Sequence, residues 1–114
     1  MKVKIKYKDK VLSENIMVAS TFYARLKGLM FQERLVDMDG LLIDPCNSIH
    51  TFFMKFPLDV VFIGKDDKVI KVLRNVIPWR MTWIYFKAIK TLEIPAGKLP
   101  LDINEGDVLE VASV

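Results

Sequence analysis

Leu58-Asp59-Val60-Val61-Phe62-Ile63-Gly64-Lys65-Asp66-Asp67-Lys68-Val69-Ile70-Lys71-Val72 is the stretch that decides the fold of this chain. Its first six residues are apolar except for Asp59, and such a short apolar run bounded by turn residues predicts a strand. The polar loop at residues 64–68 is typical of a hairpin connection. Residues 69–76 then predict the returning strand, so this stretch indicates an antiparallel pair.

Short strands are predicted on both sides of this hairpin. Val3, Ile5 and Tyr7 alternate with lysines, which is typical of a half-buried strand. Further strands are predicted at residues 11–18, 40–44, 48–54 and 88–94, and a final one begins at residue 108.

A single short helix is predicted at residues 21–27. Ser20 or Thr21 can cap it, and Gly28 suits its end. Phe22 and Leu26 fall on one face, through which we expect the helix to lie against the sheet. About eight short strands with one helix predict an all-β domain, either a β-sandwich of jelly-roll type or a barrel.

The composition limits the classes of function. A chain of 114 residues with 52% hydrophobic content fits one folded domain at residues 1–114. The net charge of +3 is mild, and alternating lysines at residues 2–10 indicate a solvated strand face, so we expect no nucleic-acid binding. We expect a cytoplasmic protein, because there is one cysteine, no apolar signal stretch and no apolar run of membrane-spanning length.

An ordered set of short motifs covers most of the chain from about Val11. The motifs are Gly28-Leu29-Met30-Phe31, Gly40-Leu41-Leu42, Ser48-Ile49-His50-Thr51-Phe52-Phe53-Met54, Phe56-Pro57-Leu58-Asp59-Val60-Val61-Phe62, Val76-Ile77-Pro78-Trp79, Leu92-Glu93-Ile94-Pro95-Ala96-Gly97 and Gly106-Asp107. Together they resemble the domain-of-unknown-function 192 family, also called the uncharacterised ancient conserved region. The resemblance implies a compact jelly-roll-like sandwich and carries no agreed activity. Some relatives have export signals, and we expect this chain to depart from them in having none.

Cys46, His50 and Met54 are spaced four residues apart and would share a face of one strand or helix. Thiolate, imidazole and thioether together suit a soft metal such as copper(I). Four residues of a straight strand span about 13 Å, which is too far for one ion unless the chain bends. The alternative is that Met54 and Cys46 pack in the core. A nucleophile–base pair of Cys46 and His50 is disfavoured for the same reason, because one strand would hold the two side chains beyond hydrogen-bond distance. We predict no metal or other cofactor.

Asp59 and Glu93 each lie inside an otherwise apolar strand. If both face a pocket with Cys46 and His50, they form a candidate ligand site, and their pKa values could be shifted for acid–base work. The alternative is structural: Asp59 accepts backbone N–H bonds at a turn, and Glu93 pairs with Arg25 or another base.

Residues 79–86 contain an aromatic stripe that includes Trp79, Trp83 and Tyr85. Such a stripe packs in a core if the segment is a strand. In an exposed loop it would instead mark a ligand, partner or membrane-surface patch, including self-association. The sequence leaves these two interpretations equal.

These residues together favour a small ligand- or partner-binding module without chemistry of its own. Its pocket would include Cys46, His50, Asp59 and Glu93, and the bound species would be an unidentified small molecule or protein. The alternative is a hydrolase or other acid–base enzyme that uses His50 with Asp59 or Glu93.

Overall fold

The computed structural model describes residues 1–114 as one curled, barrel-like sheet of seven strands with one short helix. The strands are β1 (Lys2–Tyr7), β2 (Lys10–Ala19), β3 (Gly40–Ile43), β4 (Leu58–Ile63), β5 (Val69–Val76), β6 (Lys90–Pro95) and β7 (Glu110–Ser113), and the helix α1 spans Phe22–Lys27. The predicted all-β, barrel-like domain with one short α-helix is therefore confirmed.

The sheet has the order β5-β4-β6-β3-β2-β1-β7. Neighbouring strands are antiparallel except β2 and β3, which run parallel. The hairpin of β4 and β5 forms as the sequence predicts. Backbone hydrogen bonds from Val69 to Asp107 and from Leu109 to Asp67 tie the start of β5 to the chain that leads into β7. These bonds bring opposite ends of the sheet together and curl it.

The central strands are buried on both faces, which explains their nearly continuous apolar sequences. All residues of β3 and β4 are buried. One face carries a cluster of 13 buried residues that includes Val61 and Ile94, and the other a cluster of 10 that includes Val60 and Phe62. We call these the larger and the smaller cluster. Asp59 lies on the larger cluster's face and Glu93 on the smaller cluster's face.

Two loops cover the smaller cluster, and here the sequence prediction of a strand at 48–54 is wrong. This segment meets residues 77–85 through irregular hydrogen bonds: the Thr51 N–H donates to the Arg80 carbonyl, and the Thr82 N–H to the Ile49 carbonyl. The Thr51 side chain adds a bond to the Ile77 carbonyl at 2.8 Å. Between these two loops only His50 and Met81 pair as an isolated bridge, and the sheet has seven strands instead of about eight.

Contrary to the sequence prediction, the helix α1 does not pack on the sheet through Phe22 and Leu26, and only Ala24 contacts the smaller cluster. Phe22 and Leu26 are 75% and 56% exposed, and no residue of α1 is buried. Thr21 caps the helix by accepting from the Ala24 N–H, as predicted. The open side of the helix instead borders a pocket.

No helix in the structure has the length and apolar character that crossing a membrane requires.

Candidate functional site

A pocket of about 330 Å³ opens between α1, the end of β3 and the loop that follows β3. We call it the Glu93 pocket. Its polar and charged side chains come from Arg25, Lys27, Cys46, Asn47, Ser48, His50 and Glu93, and its apolar ones include Phe22, Leu26, Ile43, Ile49 and Met81. Of the four predicted pocket residues, the structure brings Cys46, His50 and Glu93 together.

Glu93 lies in the middle of β6, between Val60 of β4 and Leu41 of β3. Its side chain is only 2% exposed, and its Oε1 atom is buried without a hydrogen-bond partner. Burial among apolar strands raises the pKa of this carboxyl from 4.5 to about 8. At neutral pH the group is therefore a neutral acid that can both donate and accept a hydrogen bond.

Arg25 reaches the same pocket from α1. One Nη atom donates to the Pro45 carbonyl at 3.3 Å, whereas the buried Nε–H has no acceptor. No ion pair joins Arg25 to Glu93, so the predicted pairing of these two residues is absent. Three buried side-chain atoms in the chain lack a partner, and two of them belong to this pocket.

The local turn at the end of α1 lets these groups approach. Gly28 has a positive φ of 50° and ends the helix with its N–H on the Ala24 carbonyl. A Cβ atom at this position would lie 3.4 Å from Oε1 of Glu93. The glycine here therefore leaves the space beside Oε1 free of a side chain on the helix side.

His50 is held by two backbone bonds instead of pointing a free nitrogen into the pocket. Its Nδ1 accepts from the Phe52 N–H at 3.1 Å, and its Nε2 lies 3.2 Å from the Leu26 carbonyl. Because a carbonyl can only accept, the ring is the neutral tautomer with the proton on Nε2. His50 thereby links the loop after β3 to the helix.

The thiol of Cys46 donates to the Ser48 carbonyl at 3.1 Å. Burial raises the pKa of this thiol above its usual value, which disfavours the thiolate. Both nitrogens of His50 are occupied by backbone groups, so no nucleophile–base pair forms between these two residues. Cys46 lines the pocket as a neutral, weakly polar wall.

Asp59 lies on the opposite face of the sheet from Glu93, because it pairs with Ile94 and not with Glu93. Its two carboxylate oxygens accept the N–H groups of Asn75 and Gly97 at 2.9 and 3.0 Å. These bonds secure the end of β5 and the turn after β6. The structure thus separates Asp59 from the other three candidate pocket residues.

Met54 is also outside the pocket, since it is buried in the smaller cluster. Cys46 and His50 do line one pocket, but their donor atoms are engaged with backbone groups. Nowhere in the chain do three or more His, Cys, Asp or Glu side chains come together as a metal site.

The aromatic segment at residues 79–86 is an exposed loop. Trp83 and Phe86 are 83% and 86% exposed, and Trp79 is largely exposed as well. Tyr85 differs, because its ring lies 4.5 Å from that of Phe62 and covers the smaller cluster. The Trp79 ring contacts Phe53 at 4.7 Å, which extends the exposed aromatic surface onto the neighbouring loop.

Sequence reasoning missed two charged residues of the pocket. The sequence predicts Arg25 only as a partner for Glu93 and predicts no role for Lys27, although both side chains line the pocket. Their signal is the pair of basic residues in the last turn of a short amphipathic helix that ends at Gly28. That pattern by itself only favours helix stability.

Comparison with known proteins identifies relatives along nearly the whole chain. The chain is 32% identical over 111 residues to a UPF0127 protein of Thermococcus sibiricus, which covers 92% of this chain and 71% of the relative. It is 29% identical over 108 residues to a UPF0127 protein of Thermococcus gammatolerans, covering 90% and 69% of the two chains.

Solved structures share the fold. A protein of unknown function from Novosphingobium aromaticivorans matches with a TM-score of 0.79 and 25% identity, covering 96% of this chain and 84% of that one. A protein from Sinorhizobium meliloti matches with a TM-score of 0.77 and 23% identity, covering 96% and 92%. The sequence profile of the domain-of-unknown-function 192 family, described as "Uncharacterized ACR", matches residues 3–111. The chain therefore belongs to the domain-of-unknown-function 192 family.

Proposed function

We propose that this protein is a small-molecule-binding module and that the Glu93 pocket is its ligand site. The observation that carries the proposal is the buried Oε1 of Glu93, which has no partner in a pocket where the Nε of Arg25 also has none. Leaving such groups unsatisfied costs about 1–3 kcal/mol each. A ligand that bonds to both would recover this cost.

Binding is favoured over acid–base catalysis by the surroundings of the other candidate groups. Both nitrogens of His50 and both carboxylate oxygens of Asp59 bond to the backbone. A hydrolase that uses His50 with Asp59 or Glu93 would have to break these bonds before any proton transfer. An acid–base activity that disappears in His50→Ala would contradict the binding proposal.

Native mass spectrometry of the gently purified protein, before any chelator is added, tests the proposal. We expect a bound small molecule whose mass is lost in Arg25→Ala and retained in Glu110→Ala, which alters an exposed acid remote from the pocket. An equal loss in both variants, or bound mass that persists in Arg25→Ala, would locate the ligand elsewhere. A mass of the protein alone in every preparation would count against a tightly bound ligand.

The aromatic loop supports a second proposal, self-association through residues 79–86. Its support is the exposure of Trp83 and Phe86, because large apolar side chains at the surface favour interfaces. Sedimentation velocity over a concentration series measures it. We expect a concentration-dependent dimer that Trp83→Ser weakens, whereas a monomer at all concentrations would refute this second proposal.

A cytoplasmic location is also proposed, on the support of the one free thiol at Cys46. Fractionation of cells that express the natural gene would test it.

A further inference from the structure

We propose that the Glu93 pocket selects a small monocarboxylate, with its oxygens on Arg25 and the Glu93 carboxyl and its apolar tail on the pocket wall. This inference rests on the proposed ligand-binding function. It adds the charge, the size and the polarity of the ligand.

The charges that line the pocket favour an anion. Arg25 and Lys27 are its two cationic side chains, and neither forms an ion pair with a carboxylate of the chain. Glu93 is the one acidic side chain, and the remaining titratable groups, Cys46 and His50, are neutral in their observed hydrogen bonds. Because burial raises the pKa of Glu93 to about 8, the pocket is positive at neutral pH.

The donors of Arg25 suit a carboxylate. Its Nη1 already donates to the Pro45 carbonyl, and its buried Nε–H lacks an acceptor. The Nε–H and the neighbouring Nη–H of a guanidinium form a fork that fits the two oxygens of a carboxylate. A carboxylate ligand would therefore satisfy the orphaned donor and neutralise the unpaired charge together.

If the ligand is an anion, the Glu93 carboxyl can form a hydrogen bond with it only when the carboxyl is protonated. In that form it donates its O–H to a ligand oxygen. A cationic ligand would need ionised Glu93 and would lie beside two cations of the protein. The groups around the carboxyl thus oppose a cation and support an anion.

The pocket wall favours an organic anion over phosphate or sulfate. Leu26, Ile43 and Ile49 are among its apolar side chains, and the pocket volume of about 330 Å³ admits only a small molecule. Each CH₂ group of a ligand that is buried there contributes about 0.8 kcal/mol in general. An inorganic oxyanion would leave this apolar wall uncovered.

Three probes of similar shape and different charge test the inference: butyrate, butyramide and butylammonium. Binding is measured by NMR titration at pH 6.5, using the backbone amide of Gly28 as the reporter inside the pocket. We expect saturable shifts with butyrate, much weaker shifts with butyramide and none with butylammonium. Phosphate is the control for a bare oxyanion, and we expect it to bind more weakly than butyrate.

Variants and pH then separate the roles of the two side chains. Arg25→Gln should abolish butyrate binding, whereas Glu93→Gln, which imitates the protonated acid, should retain it. Between pH 6.5 and pH 9 the wild-type affinity should fall about tenfold as the competent, protonated fraction declines, and Glu93→Gln should remove this fall.

Two results distinguish failure of this inference from failure of the proposed function. Binding of butylammonium or butyramide in preference to butyrate, sensitive to pocket variants, would overturn the carboxylate inference and leave a ligand site in place. Absence of shifts with all of these probes would also overturn it, while the mass-spectrometric search for a bound molecule separately decides the broader function.

Discussion

Glu93 and Arg25 line the same pocket but form no ion pair, and each keeps a buried polar atom without a partner. Buried polar groups in folded proteins are nearly always hydrogen-bonded, so two orphaned groups in one small cavity are an exception. Elsewhere in the chain the buried carboxylate of Asp59 has two backbone N–H partners, and Oδ1 of Asn15 is the one other buried side-chain atom without a partner. Such an arrangement is expected of a binding site in which a ligand supplies the missing hydrogen-bond partners of both side chains.

The buried carboxyl of Glu93 should make stability depend on pH. Its pKa is about 8 in the folded protein against 4.5 for the ordinary group, so between these values the folded state holds more protons than the unfolded state. The contribution of this group to the free energy of unfolding therefore falls as pH rises from 4.5 to about 8 and is constant above. The total loss is on the order of 5 kcal/mol.

Urea denaturation of the wild type and Glu93→Gln at a series of pH values isolates this contribution. We expect the difference between the two proteins to change steadily across that window in favour of the variant. Parallel stability profiles would mean that the carboxyl ionises with an ordinary pKa.

Removing the carboxylate of Asp59 should destabilise the fold without affecting the Glu93 pocket. Asp59→Ala leaves the N–H groups of Asn75 and Gly97, whose bonds to the carboxylate are partly buried, without their acceptor, at a cost of about 3 kcal/mol. Asp59→Asn keeps one carbonyl oxygen and should cost less. The control is Glu105→Ala, which removes only an exposed ion pair with Lys71 and should cost under about 1 kcal/mol. Equal costs for Asp59→Ala and the control would refute the structural role.

His50 should be observed as one neutral tautomer. Because Nδ1 accepts from the Phe52 N–H, the ring proton is expected on Nε2 at neutral pH. Long-range proton–nitrogen NMR of the only imidazole in the chain distinguishes the two nitrogens directly. A proton on Nδ1, or two equivalent protonated nitrogens, would contradict this geometry.

The exposed side chains of Trp83 and Phe86 in the aromatic loop should contribute little to the stability of the monomer. Trp83→Ser and Phe86→Ser alter exposed side chains, so each should change the free energy of unfolding by less than about 0.5 kcal/mol. Phe62→Ala, in the buried smaller cluster, should cost about 3–5 kcal/mol. Thermal or urea unfolding at low protein concentration compares them. A large loss in the loop variants would show that these side chains are part of the core.

The hairpin of β4 and β5 and the acidic residues inside β4 and β6 could be predicted from sequence, but the faces of the sheet on which these residues lie could not. An apolar run followed by a polar loop predicts β4 and β5, and a carboxylate within such a run draws attention to Asp59 and Glu93. Val60, not Asp59, pairs with Glu93, so the two acids point to opposite sides. A one-residue difference in strand register reverses the face on which a side chain lies, and the residues next to Asp59 and Glu93 do not predict that register.

The pocket itself depends on packing that local pattern does not encode. Residues 48–54 have the composition of a strand, yet they bond irregularly to the aromatic loop and so place His50 beside α1. Arg25 has the local signature of a residue that stabilises the end of a helix. Its presence in the pocket follows from how the helix lies over the sheet, which depends on long-range contacts.

The most direct test is a pH titration of the Glu93 carboxyl in the folded protein without ligand. The titration is monitored by carbon NMR of protein that carries labelled glutamate. Glu93→Gln assigns the signal by removing it. We predict a pKa near the value of about 8 that burial produces, which means a protonated and unpaired acid at neutral pH. A titration close to 4.5 would mean an ionised carboxylate at neutral pH and would contradict the proposed anion site.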